Sequence, residues 1–168
     1  MTARPPITLI AAELGLGRGP AARLAATGLV DTLADLRALA TRPRLPPRPD
    51  TLVVSLGQLV ALDSEQDREE DGNWRRYRGW ARRLPAEDVA RSAAGWWRAA
   101  RIPRTLIAVT TGGFTVGAWD VVGIDDIAAG GFYRFTLGSA LPDLVESRVL
   151  VAPGPTARWL NDPADSPS

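Results

Sequence analysis

The chain contains no cysteine, no histidine and no lysine. The first absence excludes disulfides, thiolate nucleophiles and cysteine-bound metals. The second removes the commonest general base together with the commonest metal ligand. All twenty basic residues are arginine. GC-rich codon usage favours that bias along with abundant Ala, Gly and Pro, so an arginine is not by itself a mark of function. No apolar run approaches the ~20 residues that span a bilayer. The stretch from Met1 to Glu13 is too short and interrupted for a secretory signal. A cytoplasmic protein without a membrane partner is the expectation. No cofactor motif is present.

What the chain does have is 168 residues, 45% of them hydrophobic, and a net charge of only +1. That suits one domain, or one domain with a small appendage. Against this near-neutral background, residues 74–104 hold nine arginines, four tryptophans and a tyrosine, opposed by Glu87 and Asp88 alone. Arginine neutralises phosphate and aromatic faces accept stacked bases, so the local excess points to nucleic acid.

The Pro/Arg-rich segment 41–50 reads as an extended connector. It divides the chain into a helical unit, 1–40, and a main domain, 51–153, followed by a polar, Pro-broken and flexible tail, 154–168. In the first unit, Pro6 and the apolar residues Ile7, Leu9, Ile10 and Leu14 predict a helix ended by Gly15. A second helix begins near Gly19-Pro20. A third begins at Thr32, where Thr32-x-x-Asp35 matches a capping box, with Leu33, Leu36 and Leu39 or Ala40 facing inward.

In the main domain, Thr51–Leu56 reads as a buried strand. Residues 63–73, with six acids and one arginine, read as a solvated loop. Pro85 opens a helix reaching about Ala100. At about 100° per residue, Val89, Ala93, Trp96 and Trp97 share one face and Arg91 and Arg98 the other, so both tryptophans are expected in the core. Trp74, Tyr77 and Trp80, interleaved with Arg75, Arg76, Arg78, Arg82 and Arg83, have no clear period. They suit a stacking surface; the alternative is that they plug the sheet while the arginines pair with the acids of 63–71. Strands follow at 105–110 and 114–124, joined at Thr111-Gly112-Gly113, then a strand at 132–137, a short helix at 141–147 and a last strand at 148–151.

Two resemblances sharpen this reading. Leu14-Gly15-Leu16-Gly17-Arg18-Gly19-Pro20-Ala21-Ala22-Arg23-Leu24, continued by Gly28-Leu29 and Thr32-Leu33, resembles the helix-hairpin-helix motif of DNA-processing proteins. It implies a sequence-blind phosphate contact through Gly15, Gly17, Arg18, Gly19 and Arg23. This chain has Leu14 where that family usually has Pro. The segments Ala94-Gly-Trp-Trp-Arg98, Val116-Gly-Ala-Trp-Asp-Val-Val122 and Phe132-Tyr-Arg-Phe-Thr-Leu-Gly138 are similar to PUA-like domains of the ASCH and EVE kind, as found near restriction-type nucleases. Here Ala94 stands where those modules often carry an arginine. That resemblance implies an α+β fold: a small mixed β-barrel with covering helices and a cleft for a base, sometimes a modified one, with Trp119 and Arg134 as cleft candidates.

The combined expectation is a non-catalytic nucleic-acid-binding protein of unresolved DNA or RNA preference, with Arg75, Arg76, Arg78, Arg91, Arg98 and Arg101 on phosphates. A competing reading is a protein-interaction accessory module of a defence or toxin–antitoxin system, favoured by the modest net charge and the acidic segment. A nuclease would need the acids Asp120, Asp125 and Asp126 to hold a metal, and they read better as a strand end and a turn. No metal is expected.

Overall fold

The computed structural model describes residues 3–70, 74–150 and 156–160. Three helices come first: α1 (Ile7–Leu14), α2 (Arg18–Ala26) and α3 (Leu33–Ala40). Gly15 ends α1 at φ +64, a left-handed conformation that closes its last carbonyls. The capping box at the start of α3 is formed in both directions between Thr32 and Asp35. Leu36 and Leu39 are buried, whereas Leu33 is 44% exposed. Residues spaced by three drift about 60° around a helix per step, so the expected three-leucine stripe could bury only two of its members.

The main body is mixed α+β. Its elements are β1 (Thr51–Ser55), β2 (Val60–Ala61), α4 (Glu65–Glu70), β3 (Tyr77–Arg78), α5 (Ala86–Ala94), β4 (Trp97–Arg98), β5 (Thr105–Val109), β6 (Thr115–Ala128), β7 (Phe132–Ala140) and β8 (Ala157–Trp159). A 3-10 turn covers Pro142–Leu144. Six strands form one barrel-like sheet in the order β4-β7-β6-β5-β1-β8, while β2 and β3 pair separately. β1 and β5 run parallel, and the other sheet pairs are antiparallel. Repeated register shifts between β6 and β7 bend the sheet.

Alternation along the two central strands buries both faces. Leu52, Val54, Leu106 and Ala108 meet Trp80, Val89 and Phe135 on the inner face. Val53, Ile107 and Val109 meet Leu144 and Val149 on the other. Arg101, in the β4–β5 connection, lies with its guanidinium 4.1 Å from the ring centre of Trp159 on the edge strand β8. Asp50 accepts from the N–H groups of Arg104 and Thr105, and its carboxylate lies 3.4 Å from Arg101. This clasp joins the β4–β5 connection to β8 and to the start of β1.

Five sequence expectations change. The short helix expected at 141–147 is only the 3-10 turn Pro142–Leu144, ended by an extended Val145. Residues 65–70 of the acidic segment are helical rather than looped, and Ser64 caps them by accepting from the Asp67 N–H. Helix α5 stops at Ala94 instead of reaching Ala100. Gly95 is extended (ψ −177), and Trp97 and Arg98 then pair with Tyr133 and Phe132 as an edge strand. The strand expected at 148–151 is reduced, within its described residues 148–150, to bridges from Arg148 to Arg44 and Phe114. Part of the tail, Ala157–Trp159, instead pairs with β1 as a strand; the rest of that segment, 154–155 and 161–168, lies outside the described residues.

The helical unit is docked on the sheet. Phe114, at the β5–β6 turn, is fully buried in the core shared by α1, α2 and α3. Arg148 lies over its ring at 4.7 Å and donates to the carbonyls of Gly112 and Leu14 at 3.0 and 2.9 Å. Burial and the neighbouring positive Arg44 lower the pKa of the Arg148 guanidinium. Segment 41–50 is tied down by backbone bonds from Leu45 to Arg148 and from Arg48 to Leu160.

Two stability outcomes follow. Phe114→Ala opens a cavity at this junction and is expected to cost about 3–5 kcal/mol in urea denaturation. Burial tends to raise the Asp35 pKa, but hydrogen bonds from Thr32, the Asp31 and Thr32 backbones and Arg82 outweigh it and hold it below the ordinary value. Its contribution is therefore present above about pH 4 and lost as pH falls through the lower native pKa. Asp35→Ala should cost about 1 kcal/mol at pH 7, with a smaller cost at pH 2–3 in the same denaturation assay.

Candidate nucleic-acid interface

The arginines divide by what already holds them. Arg134 projects from β7 and is the most enclosed of those facing the aromatic cluster, with its side chain 14% exposed. Its Nε donates to Asp125 at 2.6 Å, and Asp126 lies 3.8 Å away. The same guanidinium lies 4.4 Å from the Trp74 ring centre and 5.1 Å from that of Trp96. A planar cation between two indoles, bonded to one carboxylate and beside a second, is held within the molecule. Arg134 therefore secures the β6–β7 hairpin to the tryptophan cluster, and the cleft role implied for it is not supported by its surroundings. This geometry also takes up Asp125 and Asp126. Among the described residues, no three acids gather as a metal site.

The aromatic segment is likewise largely consumed. Trp74 donates through its indole N–H to the Arg91 carbonyl, and Arg91 lies 5.9 Å from its ring while pairing with Glu87 at 2.7 Å. Trp80 is 7% exposed and belongs to the core. Arg75 turns inward, donating to the Ser92 carbonyl and packing on Gly95, where a Cβ would strike the guanidinium at 2.3 Å. Arg76 reaches the buried carboxylate of Asp88 at 3.4 Å. Both tryptophans expected on helix α5 are only half-buried: Trp97 packs against the inner core, whereas Trp96 serves Arg134, not the core face expected of it. The periodicity argument placed Trp96 on a helix that the chain has already left.

Other arginines remain exposed. Arg18, Arg23, Arg78, Arg83 and Arg98 make no ion pair among the described residues. At the glycine hairpin, Gly17 is the N-cap of α2 and supplies no side-chain cap to the Arg18 and Gly19 N–H groups, while Pro20 has none to cap. Arg23 reaches back towards Gly19, with its Nη1 at 3.7 Å from where a Cβ would stand. Gly15, Gly17, Arg18, Gly19 and Arg23 thus lie together around one helix start. Arg101 is engaged in the clasp at Asp50 and Trp159.

Trp119 sits in a different setting. It pairs in register with Leu106 on β5 and lines a groove of about 400 Å³ with Trp80, Leu84, Val89, Val116 and Leu141. Its indole packs over Gly117, where any Cβ would meet the ring at 2.2 Å, and against the inner core. A glycine two residues before the tryptophan is what permits this pose. Arg82 forms part of the same wall. The chemistry on offer is an apolar slot with an indole and a cation in its lining, suited to a flat, π-bearing ligand attached to an anion.

Arg82 and Arg83 were expected on phosphates together with Arg75 and Arg76; nothing in the sequence distinguished them, and only the burial of Trp80 and Ala81 in the structure sets them at the rim of the core.

No family model, curated protein or solved structure matches the chain. No helix among the described residues is long and apolar enough to cross a membrane.

Replacing Arg134 by alanine removes both ring contacts and leaves two neighbouring carboxylates unneutralised. The expected loss is about 1–3 kcal/mol in urea denaturation, with a red shift of tryptophan emission in the folded state. Arg134→Lys should recover less than half, because an ammonium cannot lie flat between two indoles.

Proposed function

We propose that the protein is a non-catalytic nucleic-acid-binding protein, in which a PUA-like barrel takes a base in the Trp119 groove and exposed arginines hold the backbone. What carries this reading is the Trp119 indole, packed over Gly117 and lining an apolar groove, with Arg82 in the same lining. A planar base is held by its face in such a slot, at about 1–3 kcal/mol per stacked base. The exposed Arg78, Arg83 and Arg98 supply charge that no carboxylate among the described residues neutralises. The helix-hairpin-helix-like turn adds Arg18, Arg23 and the first-turn N–H groups of α2 as a second, sequence-blind contact.

A protein-partner reading draws on another observation: Val122, Ile127 and Phe132 are exposed on the β6–β7 hairpin at 68, 61 and 40%. A stable complex with a protein, unchanged by Trp119→Leu and lost with Phe132→Ser, would favour it.

Fluorescence anisotropy with labelled oligonucleotides tests the main reading. The expected result is binding whose log affinity falls linearly with log salt, by roughly 0.7 per neutralised phosphate on single strands and 0.9 on duplex. Absence of binding at low salt to DNA or RNA, in either strandedness, rejects it.

A further inference from the structure

A second cavity, of about 560 Å³, lies where the helical unit meets the barrel. One wall is the α2–α3 turn, including Thr27, Gly28 and Asp31; the other is the segment Ala81–Arg83, with Gln58 and Leu59 beside it. The two walls are joined by a backbone bond from the Arg82 N–H to the Thr27 carbonyl at 2.8 Å. The volume is that of a small-ligand site.

Its lining carries the guanidinium groups of Arg4, Arg82 and Arg83 against the single carboxylate of Asp31. Arg4 pairs with Asp31, and Arg82 pairs with Asp35 at 3.1 Å. These pairs use one nitrogen of each guanidinium in the recorded hydrogen bonds. A guanidinium has five N–H donors, so each retains donors for a second anion while the acid limits its rotation. Both side chains remain about half exposed, at 52 and 55%. Arg83 is exposed and has no acidic partner among the described residues. Two oriented cations and one free cation around a polar cleft form an anion site that neither unit makes alone.

Arg82 lines this cleft and also the Trp119 groove. We infer that the cleft binds a backbone phosphate of the strand whose base enters the groove, with Arg82 as the shared wall. This inference rests on the proposed function and narrows it. A base that stacks on Trp119 while its neighbouring phosphate reaches Arg83 is not held in a base pair, so the preferred ligand is single-stranded.

The test measures anisotropy with the full chain and four probes: a labelled single strand, its duplex, the same strand with abasic positions, and the unlabelled mononucleotide as competitor. The expected single-strand affinity is at least 10-fold above duplex. Arg83→Glu should weaken normal and abasic strands alike, by 10-fold or more, with Arg83→Lys close to wild type. Trp119→Leu should weaken only the base-bearing strand, and Arg37→Ala, on the exposed face of α3, should change nothing. Thermal unfolding of each variant shows that the fold is kept. If single strand and duplex bind equally and Arg83→Glu has no effect, the cleft is not the phosphate site, although the nucleic-acid reading stands. If the mononucleotide competes as well as the strand does, the site serves a free nucleotide and the strand inference is overturned. If no probe binds at low salt, the proposed function itself fails.

Discussion

The architecture depends on one insertion: Phe114, carried at the β5–β6 turn, fills the core of the three N-terminal helices. A short helical unit of this size buries too little apolar surface to be stable alone. Borrowing an aromatic ring from the barrel completes it. Arg148 then covers the ring and donates to carbonyls on both sides of the junction, at Gly112 and Leu14. The orientation of α2 and α3 relative to the sheet follows from this joint, and so does the existence of a cleft between them.

Charge in this protein is organised by enclosure more than by amount. Arg134, Arg75 and Arg148 spend their guanidinium groups on carboxylates, carbonyls and rings within the molecule. Arg75 and Arg148 satisfy part-buried backbone carbonyls that would otherwise be left without these donors, so removing either costs more than a surface ion pair would. Arg78, Arg83 and Arg98 lie outside such networks and present their charge to solvent. A tally of arginines along the chain treats both groups as equal, and that is why the 74–104 stretch overstated the size of the candidate surface.

Local signals served well where the determining contacts were local. The α1 stop at Gly15, the Thr32–Asp35 box and the β5–β6 hairpin all rest on residues within a few positions of one another, and all are in the fold. The mixture of strands and helices followed from the order of apolar segments, whereas the barrel-like curl of the sheet was implied only by the PUA-like resemblance. The longer helix expected to reach Ala100 failed because its continuation competes with pairing to β7, a partner more than thirty residues away. Ala157–Trp159 looked like tail for a similar reason: only the open edge of β1 makes it a strand.

By itself, the amino-acid sequence determined the chemistry available: arginine and indole in quantity, no thiol, no imidazole, and apolar periods that make strands and short helices. Residue type and near-neighbour spacing are enough for that. Tertiary structure alone decided which of those groups remain free. It placed Trp74 and Trp96 on an internal arginine, left Trp119 lining an open groove, and set Arg82 and Arg83 opposite the α2–α3 turn. The physical reason is that a side chain's availability depends on what packs against it, and those partners come from distant parts of the chain.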